Sequence, residues 1–146
     1  MTERLNVRPV TEEDVAEIKR LTKECLFDLT GSFEQEFLDI LVSKIDWELA
    51  HYPDTSLVAY QNGRQVGFSF TEYAEEDAFI VFLAVRPDSR RRGIGKALVN
   101  ETLRLLKEKG VRFVEIMTAE ENSAAQRFWA SQGFTDFKMK VLAKRL

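Results

Sequence analysis

Seven consecutive apolar residues, Phe79-Ile-Val-Phe-Leu-Ala-Val85, run directly into Arg86-Pro-Asp-Ser-Arg-Arg-Arg-Gly-Ile-Gly-Lys96. An apolar run of this length fits a strand covered on both faces, so helices must flank both sides of its sheet. Beyond the basic stretch, Ile94, Ala97, Leu98, Glu101, Leu105 and Glu108 follow helical spacing. That helix stops at Gly110, a residue type favoured just past a helix C-terminus. The basic stretch therefore joins a buried strand to the start of a helix.

It is also a charge anomaly. Five basic side chains and one acid give it about +4, whereas the whole chain is −3, leaving about −7 on the rest. A helix N-terminus carries unpaired N–H groups and about half a positive charge. Gly93 and Gly95 lack a Cβ, which lets backbone amides approach an anion, and Arg90, Arg91, Arg92 and Lys96 surround them. Together these features describe a pyrophosphate cradle. The plain alternative is a solvated basic loop whose glycines serve only turn geometry. A Walker A loop is excluded because no G-x-x-x-x-G-K-[ST] string exists, and a G-x-G-x-x-G fingerprint fails at Leu98.

The remaining pattern predicts β-α-α-β-β-β-α-β-α-β. Leu5 to Val10 reads as a short strand, and Thr11-Glu-Glu-Asp14 as a capping box before Val15, Ile18, Leu21 and Cys25. Gly31-Ser32 separates this helix from a second, capped by Ser32-x-x-Gln35 and carrying Phe37, Ile45 and Trp47. Asn62-Gly63 joins two alternating strands as a type I′ hairpin. Val111–Met117 is a strand, 122–131 a short helix, and 134–146 supplies one or two closing strands. The fold class is α/β, of the α+β type: a central mixed antiparallel and parallel sheet of six to seven strands with about four helices. No linker divides residues 1–146, which read as a single domain.

Composition removes several functions. No apolar run is long enough to span a membrane, and the first residues lack a signal-peptide pattern. One cysteine and one histidine argue against a disulfide or a Cys/His-clustered metal site, so no metal is expected. The net negative charge argues against nucleic-acid binding. A cytoplasmic protein is the simplest expectation, and a homodimer is left open.

Arg90-x-x-Gly93-x-Gly95, entered from Leu83-Ala-Val-Arg-Pro87, resembles the pyrophosphate motif of the GNAT superfamily of acyl-CoA-dependent N-acetyltransferases. Asn122-x-x-Ala125, Phe128-Trp129 and Gly133-Phe134 resemble that family's second element, and the order of elements agrees. The resemblance implies acetyl-CoA as co-substrate, with the pantetheine arm beside a strand that splays from its neighbour. Backbone groups of Leu83, Ala84 and Val85 would pair with the pantetheine and polarise the thioester. Amides of Arg91, Arg92, Gly93, Ile94, Gly95 and Lys96 would hold the pyrophosphate, with Arg90–Arg92 also suited to the 3′-phosphate. Asn122 would either touch the pantetheine or cap its own helix.

The chain departs from the family where acid and base groups are expected. Trp129 stands in place of a thiol-protonating tyrosine, and Phe79 and Met117 stand in place of glutamate bases. Tyr73, Glu72, Asp77 and Glu115 are nearby alternatives, and a thiol pKa near ~8.5 makes thiolate a tolerable leaving group unaided. The catalytic acid and base are left unassigned. Residues 27–36, at the junction of the two N-terminal helices, would border the acceptor, or form a plain solvated connection. Trp47, Phe37 and Trp129 are expected in the core, Cys25 as a core thiol, and His51 in a loop. The expected activity is acetyl transfer to a primary amine, a small molecule in preference to a protein; a CoA-binding module without transferase activity is the alternative.

Overall fold

The apolar run lies within β4 (Asp77–Val85), the fourth strand of a five-stranded sheet ordered β1-β2-β3-β4-β5. The computed structural model describes residues 4–30 and 35–146 and, apart from 26–30, their side chains. β1 (Asn6–Pro9), β2 (Ser56–Gln61), β3 (Arg64–Ala74) and β4 pair antiparallel, and β5 (Phe113–Glu115) joins β4 in parallel. That parallel pair requires a crossover, supplied by α3 (Ile94–Glu108). The other helices are α1 (Val15–Thr30), α2 (Gln35–His51) and α4 (Ser123–Ser131).

Helices cover β4 on both faces. Ile18, Leu21 and Cys25 of α1 and Ile45 of α2 pack on Phe68, Phe70 and Phe82. On the opposite face, Ile94 and Leu98 of α3 meet Leu57 and Val66, while Val99 and Trp129 enclose Ile80. Phe70 is wholly buried, so truncating it to alanine costs about 3–5 kcal/mol. Asn62 and Gly63 both take positive φ (54° and 72°), as a type I′ turn demands.

The entry to α1 is locked by Asp14. Its carboxylate accepts from the Thr11 N–H at 2.8 Å, Arg8 Nη1 at 2.8 Å and the Tyr60 hydroxyl at 2.9 Å. Burial opposes ionisation, but the hydrogen bonds from Arg8, Thr11 and Tyr60 outweigh it and hold this carboxyl below the usual range.

Several expectations are corrected. The sheet has five strands, because β5 carries only three paired residues and 134–146 adds none. Phe137, Met139 and Val141 alternate as a strand would but stay exposed, since a three-residue edge offers little ladder to pair with. Phe37 and Trp47 lie on the solvent side of α2 rather than in the core. His51 is the last residue of α2, not a loop residue, and its ring stacks on Trp47. The Ser32 cap lies outside the described residues.

Candidate active site

β4 and β5 part company early. They pair only where Asp77–Phe79 meets Phe113–Glu115. From Ile80 to Val85, β4 keeps β3 on one side and, among the described residues, has no strand on the other. Alternate residues there direct N–H and C=O groups into the opening, which runs about 17 Å at 3.4 Å per residue. A bulge interrupts β4: Thr71 pairs with Ile80 and Phe70 with Phe82, leaving Val81 unpaired. Bulges re-aim backbone groups.

The wide end of the opening meets the basic turn. Gly93 caps α3 with φ 80°, a left-handed conformation that a side chain resists. Around its missing Cβ lies open space, with nothing within 4 Å. The first intrahelical bond runs from Ala97 N to Gly93 O at 3.0 Å, so the N–H groups of Ile94, Gly95 and Lys96 have no helical acceptor. Arg91, Arg92 and Lys96 are exposed; Ile94 is buried and offers only its backbone. Arg64 reaches Asp88 at 2.7 Å, pairing the one acid of the turn. Arg86 is a strut rather than a ligand group: it bonds the Gln65 carbonyl and Glu17 of α1.

An open strand edge leading to an amide-rich, positive helix start is an acyl-CoA geometry, and comparison with known proteins agrees. The model of the acetyltransferase (GNAT) family matches residues 15–134. The chain belongs to this family. It is thereby an acetyl-CoA-dependent N-acetyltransferase, with acetyl-CoA as co-substrate. An acetyltransferase of Pectobacterium atrosepticum is 28% identical over 97% of this chain and 96% of its own. The ribosomal protein bS18 alanine N-acetyltransferase of Escherichia coli is 32% identical over 52% of this chain and 51% of its own. The PaiA N-acetyltransferase of Thermoplasma acidophilum, solved with coenzyme A, superposes with a TM-score of 0.84 at 19% identity, covering 94% and 93% of the two chains.

Within this acetyltransferase the residues singled out from sequence distribute unevenly. Leu83, Ala84 and Val85 border the opening, although the Val85 carbonyl accepts from Arg90 Nε at 3.2 Å. Asn122 caps α4, its side-chain oxygen accepting from the Ala125 N–H at 3.0 Å. Gly95 has a structural reason for its missing Cβ: one built there would meet the Phe128 ring at 3.1 Å, so this glycine lets α4 approach α3. Trp129 is core, and Met117 is exposed. Tyr73 is drawn away, its hydroxyl donating to Asp54 at 3.1 Å beneath Lys109.

Sequence reasoning missed two features. Val81 carries no sign of its bulge, which arises from the register with β3. Glu48 was the other: Leu38, Leu41, Ile45, Glu48 and Tyr52 follow one helical stripe, and that spacing was the available signal of burial. Glu48 is fully buried, and neither of its oxygens meets a hydrogen-bond donor. Burial, then the Glu72 carboxyl beside it, push Glu48 up to about 8 against a partly opposing Lys44. Burial and Asp77 likewise raise Glu115.

Proposed function

We propose that the 1–146 chain acts as one catalytic domain that seats acetyl-CoA along β4. The pyrophosphate would rest on the N–H groups of residues 93–96, with Arg90, Arg91, Arg92 and Lys96 supplying charge. The pantetheine arm would follow Leu83–Val85, with Asn122 offering its remaining amide donors from the start of α4. The carrying observation is the junction itself: an unpaired strand edge that opens directly onto an unobstructed helix N-terminus. The Val81 backbone is the best-placed polarising group for the thioester carbonyl, because the bulge withdraws it from the β3 ladder. This moves the expected oxyanion contact two residues toward the closed end of the opening.

The acceptor we favour is the primary amine of a small molecule. Met117 in place of a glutamate, together with Trp129, counts against the protein N-terminal type. A protein amine is the second reading, supported by the Escherichia coli relative over half the chain. Free-thiol release from acetyl-CoA, followed with small amines and with alanine-starting peptides, decides between them. Turnover confined to peptides overturns the small-molecule assignment.

A further inference from the structure

The closed end of the opening carries carboxyl groups that the cofactor reading leaves unused. Glu72 on β3 pairs with Phe79 on β4, and Phe79 pairs with Glu115 on β5, so the three form one cross-strand row. Phe68 and Phe70 pack toward α1 and α2, and Glu72 continues that face two residues on. Val114 and Ile116 pack on the opposite side, so Glu115 between them shares the Glu72 face. Behind Glu72 stands Glu48 of α2, 0% exposed, with both oxygens lacking a donor. After burial, the neighbouring Glu72 carboxyl is the group that most disfavours its ionisation.

Two adjacent carboxyl groups resist ionising together, so buried Glu48 holds its proton more tightly than an exposed glutamate does. Lys44 on α2 partly opposes that effect; beyond Phe79, burial and Asp77 raise Glu115 as well. Burying a carboxyl that meets no hydrogen-bond donor is unfavourable. The half-buried Glu72 gives the pair an outlet to the acceptor side, one cross-strand step from Thr71–Ile80 and the bulge.

We infer that the Glu48–Glu72 pair is the seat and the proton acceptor for the acceptor's ammonium group, so the acceptor is a primary amine that arrives as a cation. The inference rests on the proposed path of acetyl-CoA along β4. The ammonium gives one proton to the ionised pair, where Glu72 and Glu48 share it. The freed nitrogen then attacks the thioester carbonyl: a C–N bond forms and the C–S bond breaks. The electron pair of that bond leaves on sulfur, which receives the proton lost by the acetylated nitrogen. Glu72 touches the amine; Glu48 is a positioning residue behind it that holds the transferred proton.

Carbon-13 NMR of the glutamate carboxyls, assigned with Glu48→Gln and Glu72→Gln, tests this directly, with n-butylamine as probe and no CoA present. Saturating n-butylammonium is expected to lower the upper titration midpoint of the pair by about one pH unit. A midpoint unmoved by the amine overturns the seat. Glu48→Gln should abolish the upper step and also flatten the pH dependence of n-butylamine acetylation, a change that a purely structural role for Glu48 would not produce. In thiol release from acetyl-CoA with n-butylamine, Glu72→Gln should fall about hundredfold and lose the rise in rate toward alkaline pH. Equal rates in wild type and variant, at background or above it, overturn proton acceptance. Should either variant fold poorly, the wild-type titration still decides the seat. Failure of CoA to stabilise the wild type would instead count against the cofactor path, and leaves the titration intact.

Discussion

The two ends of β4 carry opposite charge and hold it in opposite ways. At the Val85 end, Arg91, Arg92 and Lys96 are exposed around a helix start whose N–H groups are aligned but unpaired. At the Asp77 end, Glu72, Asp77 and Glu115 gather on three strands, with Glu48 buried behind them. Exposed cations on long side chains are screened by salt and replaceable one at a time. A buried carboxyl pair is nearly indifferent to salt and responds to pH instead. One end therefore suits a polyanionic carrier that must bind and leave, and the other suits a single cation that must lose a proton.

Four variants probe that contrast. Gly93→Val places a branched side chain at φ 80° in front of the helix-start amides. We expect at least a hundredfold loss of CoA affinity, about 2.7 kcal/mol, with the fold retained. Unchanged CoA-induced thermal stabilisation would remove the anion role of the Val85 end.

Glu48→Gln acts on the other end. The folded-state value of about 8 lies above the ordinary 4.5, so the native protein keeps a proton that the unfolded chain releases. Stability accordingly falls as pH rises from about 4.5 through about 8. The glutamine variant lacks this slope and should be more stable than the wild type at the alkaline end. Denaturant melts across that window check it, and parallel curves for the two proteins would refute the shared proton.

Reversing charge with Arg91→Glu plus Arg92→Glu should weaken CoA binding about tenfold, about 1.4 kcal/mol, and the difference should shrink as salt rises. A salt-independent loss would show that these arginines act by shape. Gly95→Ala should cost less than about 1 kcal/mol of stability, because the Phe128 ring can swing to relieve the contact. A larger loss of CoA affinity than of stability there would return Gly95 to the cradle itself.

The contrast also explains what could be read in advance. Residues 86–96 are contiguous, so their charge, glycines and place between strand and helix stood together in one string. The alternative roles of Asn122 and Gly95 were not separable that way. Whether a glycine serves an anion or a neighbouring helix depends on Phe128, which lies 33 residues on. The exposure of Trp47 and of the 134–146 segment was misjudged for a related reason: apolar patterning states what an element can bury, not whether a partner surface exists.

The sequence by itself determined the element order as far as α4, the doubly covered strand and the helix-start cradle, because these depend on interactions between near neighbours in the chain. Only the tertiary structure decided where β4 leaves β5, that Val81 bulges, and that Glu48 meets Glu72. Those outcomes depend on strand register and helix packing between segments far apart in the chain, where a shift of one residue would send each side chain to the other face.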